Sequence, residues 1–163
     1  MSTLIVYGTK YGFTGKCAKA LENELNGSVD IINLQSESIK DLSGYEKIII
    51  GGSIYAGQLR KNVKQFCVDN LNMLLSKKIG LYISCSMTGD DAIKQIKNAF
   101  PEALYNRAVI KDYLGGEVNL EKARFFDRLI IKMVSKFDDS TSNRNNGICM
   151  YNVKRFADAI NNC

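Results

Sequence analysis

The sequence has no histidine among its 163 residues. That excludes His-ligated metal sites, Ser-His and Cys-His nucleophilic dyads, and imidazole acid–base catalysis. Chemistry near neutral pH therefore points to a reactive group borrowed from a cofactor. Proline occurs once, and with 45% hydrophobic and 24% charged residues the composition is that of a globular chain, not a disordered one. No apolar run approaches the roughly 18 residues needed to cross a bilayer, so no transmembrane segment is expected. Met1-Ser2-Thr3, followed by Leu4-Ile5-Val6-Tyr7, lacks the basic start and long apolar stretch of a signal peptide. Cysteine is present but cannot pair completely: Cys17, Cys67, Cys85, Cys149 and Cys163 are odd in number and contain no C-x-x-C. They read as free thiols of a reducing cytosol, with no metal site, and the expected location is cytoplasmic.

The length fits a single domain over residues 1–163, large enough to bury roughly 68–70% of its unfolded surface without metal or disulfide staples. Lys plus Arg is 22 against 17 for Asp plus Glu, a net charge of +5. That is too little to argue for nucleic acid, and it is compatible with acidic partners, anionic ligands or a membrane surface.

Short apolar runs alternate with amphipathic stretches. Thr3–Tyr7 is β-branched and apolar throughout, the pattern of a strand buried on both faces. From Thr14 the period becomes helical, with Cys17, Ala18, Leu21 and Leu25 on one stripe and Asn26-Gly27 as the stop. Val29–Leu34 and Lys47–Ile50 read as the second and third strands, the third ending in Gly51-Gly52-Ser53. A long helix is expected from about Leu59 to Leu75. Ile79–Ser84 reads as strand four, Ala92–Phe100 as a helix stopped by Pro101, and Ala108-Val109-Ile110 as the centre of strand five. Strands alternating with helices at this spacing predict βαβ units and a doubly wound α/β fold with a parallel five-stranded sheet. Two further helices are expected near the C-terminus. The first carries Phe125, Phe126, Leu129, Ile130, Met133, Val134 and Phe137 on one stripe and Arg124, Arg128, Lys132 and Lys136 elsewhere. That stripe suits a core-facing helix, or a basic amphipathic helix (124–137) resting on a membrane or acidic partner. The polar run Asp138–Gly147 reads as a loop, and a final helix spans about Asn152–Asn161.

In open α/β sheets ligands sit beyond the carboxyl ends of the strands, which directs attention to the loop after strand one. It reads Gly8-Thr9-Lys10-Tyr11-Gly12-Phe13-Thr14-Gly15-Lys16 and opens directly into a helix. Backbone N–H groups at such a start form an anion site; Thr9 and Thr14 add hydroxyls, and Gly12 lets the backbone close around a phosphate. The bland alternative is a plain turn with Thr14 as N-cap. Competing phosphate loops fail on spacing. A Walker A loop ending at Gly15-Lys16 needs glycine at position 10 and Ser or Thr at 17, where the chain has Lys10 and Cys17. A dinucleotide fingerprint also needs that first glycine, and strand two ends without an acidic residue for a ribose. A tyrosine-phosphatase loop needs Arg six positions after Cys, but Asn23 and Asp91 stand there; a response regulator needs Asp where Gly51-Gly52-Ser53 stands. A mononucleotide site survives.

The run Ile5 to Leu21 resembles the flavodoxin FMN-phosphate signature over its whole length: an aromatic closing the strand, Thr at the loop start, Gly, a second Thr, and Ala four residues on. The resemblance implies a flavodoxin-like fold, strand order 2-1-3-4-5, with the FMN phosphate on Thr9, Lys10, Tyr11, Gly12, Phe13 and Thr14. The loop after strand three, Ser53, Ile54, Tyr55, Ala56 and Gly57, stands where a flavodoxin covers the isoalloxazine ring. It implies Tyr55 against the flavin face and a peptide of Ala56-Gly57 at flavin N5. The loop Ser84, Cys85, Ser86, Met87, Thr88, Gly89 would offer donors to the pyrimidine edge. Cys85 reads as a small strand-end residue in preference to a redox thiol.

Gly52–Gly57 and Phe125–Val134 are also similar to the menaquinone-dependent protoporphyrinogen dehydrogenase branch, which carries an extra helix before its last one. That resemblance implies FMN passing electrons from a porphyrinogen to a quinone. The branch has a long basic insertion after strand four, whereas this chain has only about 20 residues between Ser86 and Asn106. The shorter segment favours an electron carrier between redox proteins, while the basic charge departs from the acidic surface of carrier flavodoxins.

Overall fold

A computed structural model describes residues 2–117 and 147–163. The basic helix expected over 124–137, and all of the Asp138–Gly147 loop except Gly147, lie outside the described residues. Five parallel strands build the sheet: β1 (Ser2–Gly8), β2 (Ser28–Asn33), β3 (Lys47–Tyr55), β5 (Lys78–Ser84) and β6 (Ile110–Tyr113), in the order β2-β1-β3-β5-β6. A short β4 (Gln58–Leu59) folds back antiparallel on the end of β3. With β4 set aside this is the flavodoxin-like order 2-1-3-4-5, so the fold expected from the sequence is the fold observed. Two small strands, β7 (Gly115–Gly116) and β8 (Gly147–Ile148), pair beside the carboxyl end of the sheet.

Helices cover both faces. Alternation along the central strands sends Leu4, Val6, Ile48, Ile50, Ile79, Leu81 and Ile83 to one side. There they meet α2 (Lys61–Asp69), α3 (Leu71–Leu75), α4 (Gly89–Ala99) and α5 (Glu102–Arg107). Ile5, Ile49 and Tyr82 point the other way, into a core completed by α1 (Phe13–Glu24) and α6 (Met150–Asn161). These three central strands are apolar on both faces because both faces are covered. Lys47, 4% exposed at the start of β3, donates from Nζ to the carbonyl of Ile160. A cation there satisfies the carbonyls that the end of α6 leaves unpaired.

Two sequence expectations need correction, and the alternative reading of Thr14 falls with them. The single helix from Leu59 to Leu75 is two: Leu59 belongs to β4, and the helix breaks at Asn70. Asn70 donates from Nδ2 to the Phe66 carbonyl at 2.9 Å, ending α2 with a side chain that competes for the backbone. The fifth strand begins two residues later than its apolar centre suggested. Val109 is 42% exposed at the sheet edge, and Ala108 caps α5, a helix after Pro101 that hydrophobic spacing did not reveal. Thr14 is not an N-cap: Gly12 caps α1 from a left-handed conformation, φ 93°, and Thr14 lies inside the first turn.

Candidate functional site

Three loops leave the carboxyl ends of β1, β3 and β5, which lie side by side in the sheet, and the candidate residues sit on them. In the first loop the N–H of Gly12 donates to Thr9 Oγ1 at 2.9 Å, folding residues 9–12 into a closed turn. Thr9 is buried beneath it and Gly12 exposed at its crest. The first turn of α1 contains no acidic residue, so its positive end is not neutralised. Thr14 is fully buried at the floor, its Oγ1 2.7 Å from Ser84 Oγ at the end of β5. Each hydroxyl has one proton and two lone pairs. If Ser84 donates to Thr14, the Thr14 proton is left for a ligand above it. The Tyr82 hydroxyl donates to the Thr14 carbonyl at 3.1 Å, so strand β5 pins the helix start from below.

The second loop is a tight hairpin. Tyr55 pairs with Gln58, and the two residues between them, Ala56 (φ 48°) and Gly57 (φ 73°), are both left-handed. That is the signature of a type I′ turn, which matches strand twist and favours glycine. Alanine in this conformation holds about 1 kcal/mol of strain. Replacing Ala56 by glycine is therefore expected to leave stability level or raise it slightly, and Gly57→Ala to lower it by about 1 kcal/mol. Urea denaturation of the two variants checks the opposite signs; equal effects would mean the turn is not type I′. Lys10 Nζ stands 3.4 Å from the centre of the Tyr55 ring and 5.5 Å from that of Tyr11, joining the first loop to the second by cation–π contact.

In the third loop Cys85 is buried, with its Sγ 3.5 Å from the Met87 carbonyl, and burial pushes its thiol up to about 11. A thiol that stays protonated is a poor nucleophile, in keeping with a structural part for Cys85. Ser86 and Met87 are half-buried, and Gly89 opens α4 from a left-handed φ of 56°. The segment after β6 closes this loop from the side. Cys85 N–H donates to the Gly115 carbonyl at 3.0 Å, and a Cβ on Gly116 would stand 2.0 Å from the Cys85 carbonyl oxygen. Sequence reading missed this support, although two adjacent glycines after a strand are a signal of close backbone approach.

Ser53 ends the β3–β5 ladder opposite Ser84, and its buried Oγ has no hydrogen-bond partner among the described residues. A buried hydroxyl left unpaired costs on the order of 1–3 kcal/mol, and a ligand between the second and third loops would relieve that cost. Gly12, Gly57 and Gly89, one in each loop, all have positive φ and open space where a Cβ would project. Backbone donors, hydroxyls, an aromatic ring and the Lys10 ammonium thus converge at the three loops. Among the described residues, no cluster of acidic and cysteine side chains could hold a metal, and no helix is long and apolar enough to cross a membrane.

Sheet order and loop placement define a doubly wound α/β domain of flavodoxin-like topology. Residues 4–145 match the family model described as flavodoxin domain. The chain belongs to that family, whose cofactor is FMN. Solved structures agree on the fold. A flavodoxin from the domain Archaea is similar with TM-score 0.55 at 17% identity, over 98% of this chain and 99% of that one. The two-electron reduced flavodoxin of Megasphaera elsdenii gives 0.57 at 18% identity, over 78% and 94%. Rubredoxin oxygen:oxidoreductase of Desulfovibrio gigas gives 0.53 at 13% identity; it covers 99% of this chain, which spans only 35% of that longer protein. No curated protein matches the chain.

Proposed function

We propose that the three loops hold FMN and that the protein carries electrons between redox partners, either proteins or a small-molecule reductant and a quinone. The unpartnered Ser53 hydroxyl, set between the loops beside the Thr14–Ser84 pair, carries the assignment of the site. Bound FMN supplies the electron chemistry that a chain without histidine lacks. The chain's own part is to bind and orient. Residues 9–14 would hold the phosphate through backbone N–H groups, the positive end of α1 and the Thr14 hydroxyl. Tyr55 would cover a face of the ring and Ala56-Gly57 would meet its N5 edge. Ser53 and the loop Ser84–Gly89 would meet the remaining polar edge. Lys10, over Tyr55, adds positive charge where electrons enter.

Helix α4 starts at Gly89 and α5 ends at Arg107, so residues 85–109 hold no long insertion between β5 and β6. That supports the carrier over a protoporphyrinogen dehydrogenase. Anaerobic mixing of the FMN-loaded protein with protoporphyrinogen and a quinone tests the choice; turnover would reverse it.

FMN loading is read from the visible flavin bands after reconstitution. Gly12→Asp and Gly12→Asn separate charge from backbone, because both residues tolerate the left-handed conformation. A carboxylate about 5 Å from a phosphate at an effective dielectric of about 20 costs about 3 kcal/mol per unit charge. Gly12→Asp should thus bind FMN at least 100-fold more weakly than Gly12→Asn. Equal affinities would place the phosphate elsewhere.

A further inference from the structure

We propose that the cleft between the end of β2 and the start of α2 is a second binding site, for a small organic anion whose phosphate or carboxylate rests on Arg60 and Lys61. The cleft measures about 480 Å³ and is lined by Leu34, Gln35, Arg60, Lys61, Asn62 and Gln65. Two of the six are cations and none is an anion. Arg60 Nε is shut off from solvent with no acceptor, and no hydrogen bond or ion pair engages the rest of its guanidinium among the described residues. A guanidinium offers five donors, and leaving one buried and unpaired is costlier than for a neutral group. An oxyanion in the cleft that Arg60 lines gives its guanidinium acceptors at the nitrogens other than Nε.

The helix start adds to this. The first turn of α2 has no side-chain cap and no acidic residue. The Val63 N–H is taken by Asn62 Oδ1 at 3.0 Å, and among the described residues no partner takes the N–H groups of Lys61 and Asn62, which leaves them for a ligand. The size of the cleft argues for more than an inorganic ion. Its volume lies within the roughly 300–1,000 Å³ of small-molecule sites, with Leu34 as an apolar wall and the two glutamines as polar edges.

This site is separate from the phosphate loop and goes beyond the flavin reading. Helix α1 packs on one face of the sheet and α2 on the other, so the two anion sites back onto strand β1 from opposite sides. They also touch. A Cβ on Gly8, which opens the phosphate loop, would stand 2.6 Å from both Asn62 Oδ1 and Val63 Cγ2.

The test is an amide NMR titration of the FMN-loaded protein at low salt, with inorganic phosphate, phenyl phosphate and benzoate. Loading fills the first loop beforehand; a protein that takes no FMN refutes the flavin assignment, and the titration is read all the same at residues 34, 35 and 60–65. The expected result is saturable shifts confined to those residues, with phenyl phosphate at least fivefold tighter than inorganic phosphate. The ranking of phenyl phosphate against benzoate identifies the headgroup. Arg60→Gln with Lys61→Gln should weaken phenyl phosphate at least tenfold while the flavin spectrum is unchanged, and Lys61→Gln alone should weaken it less. Shifts spread without saturation over the basic surface, or a double variant that titrates like the native protein, would overturn the site.

Discussion

Replacing Gly51 by alanine is expected to remove about 3 kcal/mol of stability, at the upper end of what overpacking a core usually costs. A Cβ at Gly51 would stand 2.0 Å from Cζ of Tyr82 and 2.4 Å from its hydroxyl. Gly51 and Tyr82 are register partners on β3 and β5, and the tyrosine is fully buried. The ring cannot swing aside. It meets Phe156 edge-on with ring centres 6.2 Å apart, and its hydroxyl is held by the Thr14 carbonyl. Interiors packed this closely pass strain on instead of absorbing it. The damage therefore reaches the first turn of α1, and FMN affinity should fall along with stability. Tyr82→Leu in the Gly51→Ala background should recover part of the loss, because the clash is between these two residues. Chemical denaturation of the two single variants and the double variant gives the coupling. Strictly additive losses, or a single-variant cost below about 1 kcal/mol, would show that the sheet adjusts and the contact is not limiting.

Stability is also expected to fall steeply above pH 9. Burial raises the Cys17 and Cys67 thiols from 9.0 to about 12 and Cys85 to about 11. All three are at most 5% exposed. A pKa raised in the folded state means that the native protein keeps protons the unfolded chain gives up. The contribution is complete below pH 9 and is lost as pH climbs toward the folded values. Each such group costs about 1 kcal/mol between pH 9 and 10, the slope rising toward about 1.4 kcal/mol per pH unit higher in the window, so three cost about 3 kcal/mol over that unit. Against a typical 5–15 kcal/mol that is a large fraction. Urea midpoints at pH 8, 9 and 10 measure the slope. Cys67→Ala lowers stability at every pH by leaving a small cavity, but it should also flatten the slope by about a third. An unchanged slope in that variant would assign alkaline unfolding to other groups.

Part of the candidate site was legible in the sequence because it depends on short-range order. A β-branched run followed by a glycine-containing turn and a helical period fixes where a strand stops and a helix starts. In an open sheet that junction is where ligands bind. The loop from Thr9 to Thr14 was placed this way; Ser53–Gly57 and Ser84–Gly89 were assigned through the family resemblance, and the hairpin at Tyr55–Gly57 appeared only in the structure. Misplaced boundaries fell where local pattern and tertiary context disagree. Leu59 to Leu75 has a continuous apolar period, but Leu59 pairs with Ile54 in a hairpin and Asn70 takes the Phe66 carbonyl. Ala108-Val109-Ile110 reads as a strand centre, yet β6 is an edge whose inner position is Asp112, bridged to Arg155 and Asn152 of α6. A buried carboxylate interrupts the hydrophobic run that periodicity relies on.

By itself, then, the sequence determined the class of fold, the absence of any histidine chemistry and the loop that follows the first strand, while the strand order came from the family resemblance. Each is written in residues near one another along the chain. Only the tertiary structure decided what the three loops rest on: Tyr82 in the space left by Gly51, Ser84 against Thr14, Gly116 against Cys85, an unpaired Ser53, and Arg60 lining its cleft. These contacts join residues 30 to 70 positions apart. Strand register sets them, and no local pattern encodes register between strands that are distant in the chain.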